Sequence, residues 1–190
     1  MSEDQVKLNQ DNAIVDDETM DLTNVKQEVF VIPPSRNVKF FIAKIDRYEK
    51  NKDGTLRDWR FLNLQLAIED GIPAVVKNET TGENEEIMKY KNKMMFQTVP
   101  YYANPDVYKK DWFKKKQHLV QFKMLASALG IDLNNLKVSD VVQLGDKAFV
   151  IADITQSDET VKNEQNEYVK TGDRINEIKN FRALPLEDTV

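Results

Sequence analysis

Cysteine is absent from this 190-residue chain, and histidine occurs once, at His118. Together these scarcities exclude disulfide scaffolds, thiolate zinc sites, histidine-cluster metal sites and Cys-His nucleophilic catalysis. The six glycines form neither a phosphate-loop pattern nor a dinucleotide-binding fingerprint. No apolar run approaches the roughly 18 residues that a membrane-spanning helix needs. The first residues, "MSEDQVKLNQDNAIVDDETMD", lack the basic-then-apolar order of a signal peptide. The expectation is a non-enzymatic protein of the cytoplasm with no cofactor, no metal and no membrane partner. "EIK" at Glu177–Lys179 matches the acidic-x-Lys element of some metal-dependent nucleases, but a partner carboxylate is not evident. His118 reads as an ordinary structural or solvated histidine.

Charge is present in quantity and unevenly placed. Lys and Arg number 27 against 32 Asp and Glu, a net charge of −5. Residues 1–35 hold eight acids and two bases, whereas residues 89–123 hold nine lysines and two acids. Association responds to the local field and not to the molecular total, so an acidic average does not exclude a polyanionic ligand. Within the basic region, "VPYYANPDVYKKDWFKKKQH" (99–118) collects five aromatic residues and five lysines.

Residues 1–28 are polar and acidic without sustained periodicity, which predicts a disordered arm. A single domain is expected over 29–184, followed by a short tail at 185–190. Val38–Glu49 is β-branched and aromatic, favouring a strand that ends in the turn "KNKDG". In "WRFLNLQLAI", Leu62, Leu64, Leu66 and Ile68 share one face under period-2 alternation, leaving Trp59, Phe61, Asn63 and Gln65 on the other. "IPAVVKNETTGENEEIMKYKNKMMFQTVPYY" predicts two strands around a polar loop, with Lys89, Lys91 and Lys93 sharing a strand face. Asn104 and Pro105 carry helix-start chemistry. Leu119, Phe122, Leu125, Ala126 and Leu129 then follow helical spacing up to Gly130. "KAFVIADITQ" predicts another strand, and the remainder a hairpin with a long polar tip closing near Ile175–Phe181. Strands, one main helix, then strands imply a mainly β fold, a small barrel or α+β sheet.

Single-stranded nucleic acid is held by cations along the phosphates and by aromatic planes on which bases stack. Both are locally abundant here. The candidate nucleic-acid-binding residues are Lys44, Arg47, Arg57, Trp59, Arg60, Phe61, Lys89, Lys91, Lys93, Tyr101, Tyr102, Trp112, Lys114 and Lys115. Each has a plainer reading. The lysine run suits a solvated helix face, Tyr108 and Trp112 suit i, i+4 packing, and Trp59 and Phe61 could lie beneath the N-terminal arm or a hairpin.

The turn "YEKNKDG" before "WRFLNLQLAI", and "FKMLASALGI" leading through "VSDVVQLGDKAFVIADI" to a hairpin and "NEIKNFRAL", resemble the phage-encoded OB-fold single-stranded-DNA-binding proteins. The resemblance covers about residues 38–184. It implies a five-stranded Greek-key barrel with a helix between its third and fourth strands, here carrying extra hairpins. It also implies DNA across the second and third strands, and a role in phage replication or recombination in the host cytoplasm. Partners would be single-stranded DNA, possible replication or recombination proteins, and further copies of the chain. The acidic C-terminal tail common in that functional class is missing from "ALPLEDTV". The acidic arm at 1–28 is instead expected to compete with DNA for the basic face. The alternative is a virion or assembly protein whose basic aromatic surface meets another protein.

Overall fold

A computed structural model describes residues 31–165 and 167–185. The acidic arm at 1–28 and all but the first residue of the 185–190 tail therefore lie outside the described residues. The strands are β1 (Ser35–Lys50), β2 (Leu56–Ile68), β3 (Ile72–Lys77), β4 (Asn84–Lys89), β5 (Met94–Ala103), β6 (Phe149–Lys162) and β7 (Tyr168–Arg182). Between β5 and β6 lie the helices α1 (Asp111–Lys114), α2 (Val120–Ala128) and α3 (Val138–Gly145).

Five strands form one antiparallel sheet in the order β5-β2-β1-β6-β7. The period-2 pattern of β2 sets its inner face: Leu62, Leu64, Leu66 and Ile68 are fully buried. They meet Phe40, Ile42 and Ile45 of β1, Met95 and Val99 of β5, Val150, Ala152 and Ile154 of β6, and Ile178 and Phe181 of β7. Phe122, Leu125 and Ala126 of α2 close this core, and α2 lies against both β5 and β7. β3 and β4 pair only with each other, as a separate hairpin around the predicted polar loop.

The expected closed Greek-key barrel is not what forms: the sheet is open. No ladder joins its edge strands β5 and β7. Two side chains occupy the seam instead. The Ile178 amide donates to Gln97 Oε1 of β5 at 2.7 Å, and the Asn180 amide donates to Gln121 Oε1 of α2 at 3.1 Å. β7 thus satisfies these two amides through glutamines, with α2 set into the gap.

The expected single long helix is also broken. Lys116 takes a left-handed conformation at φ 55°, which ends α1, and a 3-10 turn at Gln117–Leu119 precedes α2. Asn104 opens a turn rather than a helix, its side chain accepting from the Asp106 amide. Gly130, at φ 74°, does terminate the α2 segment as its position suggested. α3 covers "VSDVVQLG", a stretch with no expected element. The strand expected at "KAFVIADITQ" runs on to Lys162, because "SDETVK" pairs with β7 instead of forming a loop.

One polar knot ties β1, β6 and β7 together. Asp153 accepts from the Asn37 amide, the Asn180 side chain and the Arg182 guanidinium, and Arg182 also donates to Asn37 Oδ1. The guanidinium holds the Asp153 carboxyl far below the usual carboxylate range. A depressed carboxyl pKa contributes stability that is present above its unfolded value, 3.8, and lost as pH falls toward the folded one. Asp153→Asn is expected to lower stability at pH 7 by about 1–3 kcal/mol. The difference in melting temperature from the unaltered chain should narrow at pH 3; a gap independent of pH would contradict this reading.

Candidate functional site

The outward face of β5, β2 and β1 is set by register. Opposite Phe61 lie Pro100 and Tyr48; opposite Gln65 lie Phe96 and Lys44; opposite Ala67 lie Met94 and Phe41. Phe41 in turn pairs with Phe149 of β6. The result is three aromatic stations along β2. Tyr48 stacks on Phe61 with centroids 5.1 Å apart and planes at 9°. Phe96 has no ring partner among the described residues and is 62% exposed. Phe41 and Phe149 meet at 5.2 Å. From Phe61 to Ala67 is six residues, about 20 Å along a strand.

Cations accompany each end of this row. The Arg57 guanidinium lies 5.7 Å from the Phe61 ring centre, Lys39 lies 5.5 Å from Phe149, and Lys147 lies 5.9 Å from Phe41. Lys44 stands near the middle, exposed and paired with Asp46 at 2.9 Å. That hydrogen-bonded carboxylate raises the Lys44 pKa. The surface therefore presents flat apolar rings flanked by positive charge, with Asp46 the acid tied to Lys44.

A second aromatic group gathers beside the C-terminal end of β5. Trp59 touches Tyr108, Phe113 and His118, with centroids 5.5, 5.6 and 5.8 Å away. Trp112 packs edge-on against Phe113 at 4.8 Å and remains 45% exposed. The Tyr101 ring rests 5.9 Å from Phe122, and its hydroxyl donates to Glu49 Oε2 at 3.3 Å. Burial pushes the Tyr101 phenol up. His118 is only 8% exposed, its Nδ1 has no hydrogen-bond partner, and desolvation lowers its pKa. It is a buried ring and not a solvated one.

The sequence-predicted residues divide accordingly. Lys44, Arg57 and Phe61 share the outward sheet face. Trp59, Tyr101, Tyr102, Trp112 and Lys114 cluster at the rim, and Lys115 is exposed beside them. Arg47 and Arg60 alternate onto the opposite side. Arg47, opposite Leu62, pairs with Glu49, and Arg60 lies 4.2 Å over the Tyr102 ring. Lys89, Lys91 and Lys93 do not share a strand face. β4 ends at Lys89, and positive φ at Tyr90 and Asn92 makes residues 90–93 a turn. That turn bonds to Ile68, nine residues along β2 from Trp59, or about 30 Å away. Trp59, expected as a leading stacking residue, is half-buried and packs against three rings.

Lys39, Phe41, Phe96, Lys147 and Phe149 are absent from the predicted set, although each lies in or beside a recognised strand. Strict alternation from Phe40 would have placed Phe41 outward; the pairings of Phe96 and Phe149 depend on long-range register. Among the described residues, no three His, Asp or Glu side chains are grouped to hold a metal. Glu177 instead forms an ion pair with Lys179. No family model, characterised protein or solved structure matches the chain.

Proposed function

We propose that the chain binds single-stranded DNA without sequence preference, laying the strand across the outward face of β5, β2, β1 and β6. The observation that carries this reading is the row Tyr48–Phe61, Phe96 and Phe41–Phe149 with Lys39, Lys44, Arg57 and Lys147 around it. Rings accept any base, and cations follow the phosphates whatever the sequence. The topology supports an OB-like interpretation. The first three strands of the sheet form a meander, α2 lies between the third and fourth, and the first pairs with the fourth. OB-folds are often only partly closed and use their second and third strands for ligands. The associated setting is phage DNA replication or recombination.

Binding to single- and double-stranded DNA of equal length tests the reading. A preference for the single strand supports it; equal or absent binding overturns it. Tryptophan emission gives a finer check. Trp59 is half-buried among three rings and Trp112 is 45% exposed, so oligo-dT is expected to quench Trp112 mainly. Trp112→Phe should remove most of the quench while leaving affinity within about threefold, below one full stacking contact. Quenching that survives intact in this variant would locate the strand elsewhere.

A protein-binding role is the second reading. Its specific support is the two-stranded ribbon at the end of β6 and β7, where Val161, Tyr168 and Val169 are exposed. Concentration-dependent self-association without any preference for single strands would favour it.

A further inference from the structure

We infer that the cleft between the end of β5 and the 105–119 segment is a nucleobase pocket, taking one base of the strand out of line with its neighbours. This inference rests on the single-strand reading above and adds a subsite away from the β-sheet row. The cleft encloses about 380 Å³. Its walls include Tyr101, Tyr102, Tyr108 and Phe113, with His118 as part of the lining. That volume suits a small planar ligand, and four of the lining side chains are tyrosine or phenylalanine rings.

Two features of the walls suit a flat ring. Tyr108 and Phe113 are close neighbours, with centroids 4.8 Å apart and planes tilted at 42°, and form a ready-made aromatic corner. The Arg60 guanidinium covers one side of Tyr102 at 4.2 Å, which holds that ring in place as a wall.

The surrounding charge suits the rest of a nucleotide. Lys114 and Lys116 also line the cleft, and both are exposed. Lys114 lies 3.9 Å from Asp111, while Lys116 has no ion pair among the described residues. The left-handed turn at Lys116 separates these two lysines from a continuous helical row. Phosphates on either side of a captured base would thus meet one lysine each.

The test uses the full chain and two probes, a dT oligomer and thymidine 3′,5′-bisphosphate. The bisphosphate presents one base with a phosphate on each side and is too short to span the sheet row. It is expected to bind the unaltered protein and shift the resonances of Tyr108 and His118. Tyr108→Leu should weaken that binding about tenfold, as loss of one stacking partner does. Lys116→Gln, at an exposed side chain, should weaken it severalfold and decides the matter if Tyr108→Leu does not fold. Oligomer binding without bisphosphate binding, or bisphosphate binding indifferent to both substitutions, overturns the pocket and leaves the single-strand reading intact. Failure of the oligomer itself to bind overturns both.

Discussion

A fourfold rise in salt concentration is expected to weaken oligo-dT binding about a hundredfold, if five cations each neutralise one phosphate. The five are Lys39, Lys44, Arg57 and Lys147 on the sheet and Lys114 at the rim. Counterion release gives a slope of roughly −0.7 per phosphate on a single strand, so five contacts give about −3.5 on logarithmic axes. Removing a contributor should therefore change the slope as well as the affinity. Lys39→Gln and Lys147→Gln are each expected to reduce the slope by about 0.7, and together by about 1.4. Phe96→Ala should behave differently, lowering affinity by about 1–3 kcal/mol at every salt concentration while the slope stays constant. An affinity that is flat with salt would exclude a phosphate-tracking surface, whatever its rings contribute. A slope unchanged in the double lysine variant would move the strand off this face.

Replacing both seam glutamines is expected to produce the largest loss of stability. The backbone amides of Ile178 and Asn180 donate to Gln97 and Gln121 because β5 and β7 form no ladder. Ile178 is fully buried, so its amide has no ready access to water in place of Gln97. Methionine keeps much of the glutamine shape but presents only a weak acceptor. The double substitution Gln97→Met with Gln121→Met should lower stability by about 2–5 kcal/mol, since each orphaned amide costs about 1–3 kcal/mol. Denaturant unfolding measures the total. Hydrogen exchange locates it, with the Ile178 amide losing protection ahead of amides in the β1–β2 ladder. Unchanged stability in the double variant would show that these amides have other partners or do not need them.

The inner half of the fold was legible because alternation is local. Leu62, Leu64, Leu66 and Ile68 announce a buried face at four successive alternate positions, and all four are buried completely. The hairpin at 72–89 was legible for a similar reason: its loop collects turn-forming residues between two short apolar runs. What failed was information held by backbone conformation or distant pairing. Nothing in "YKNK" requires positive φ at Tyr90, yet that conformation converts an apparent lysine-bearing strand into a turn. Lys116 interrupts the helix in the same way, with no glycine or proline to signal it.

The site was half legible for a related reason. Aromatic–basic composition pointed to segments that carry exposed rings and cations, and parity placed Phe61 on the outward face. The stacking of Tyr48 on Phe61, however, follows from a register linking residues 13 positions apart, with a β-bulge at each end of the paired stretch. Phe149 reaches Phe41 only because β6 returns after three helices. Trp59 met the compositional criterion fully, but its exposure depends on where residues 108–118 fold back and bring Tyr108, Phe113 and His118 against it.

The β3–β4 hairpin has an architectural consequence. Ile68 already exchanges backbone hydrogen bonds with Asn92 and Lys93, which places the end of β2 beside the beginning of β5. The intervening residues are therefore a detachable excursion from an otherwise direct connection, anchored by the buried Ile72. Its tip at 78–82 is organised by Asn78, whose side chain accepts from the Thr80 and Thr81 amides, and it contributes nothing to the large sheet. That makes the tip a natural port for a reporter or an affinity handle. An insertion there lengthens a loop whose closure entropy grows only logarithmically, and leaves the five-stranded framework unaltered.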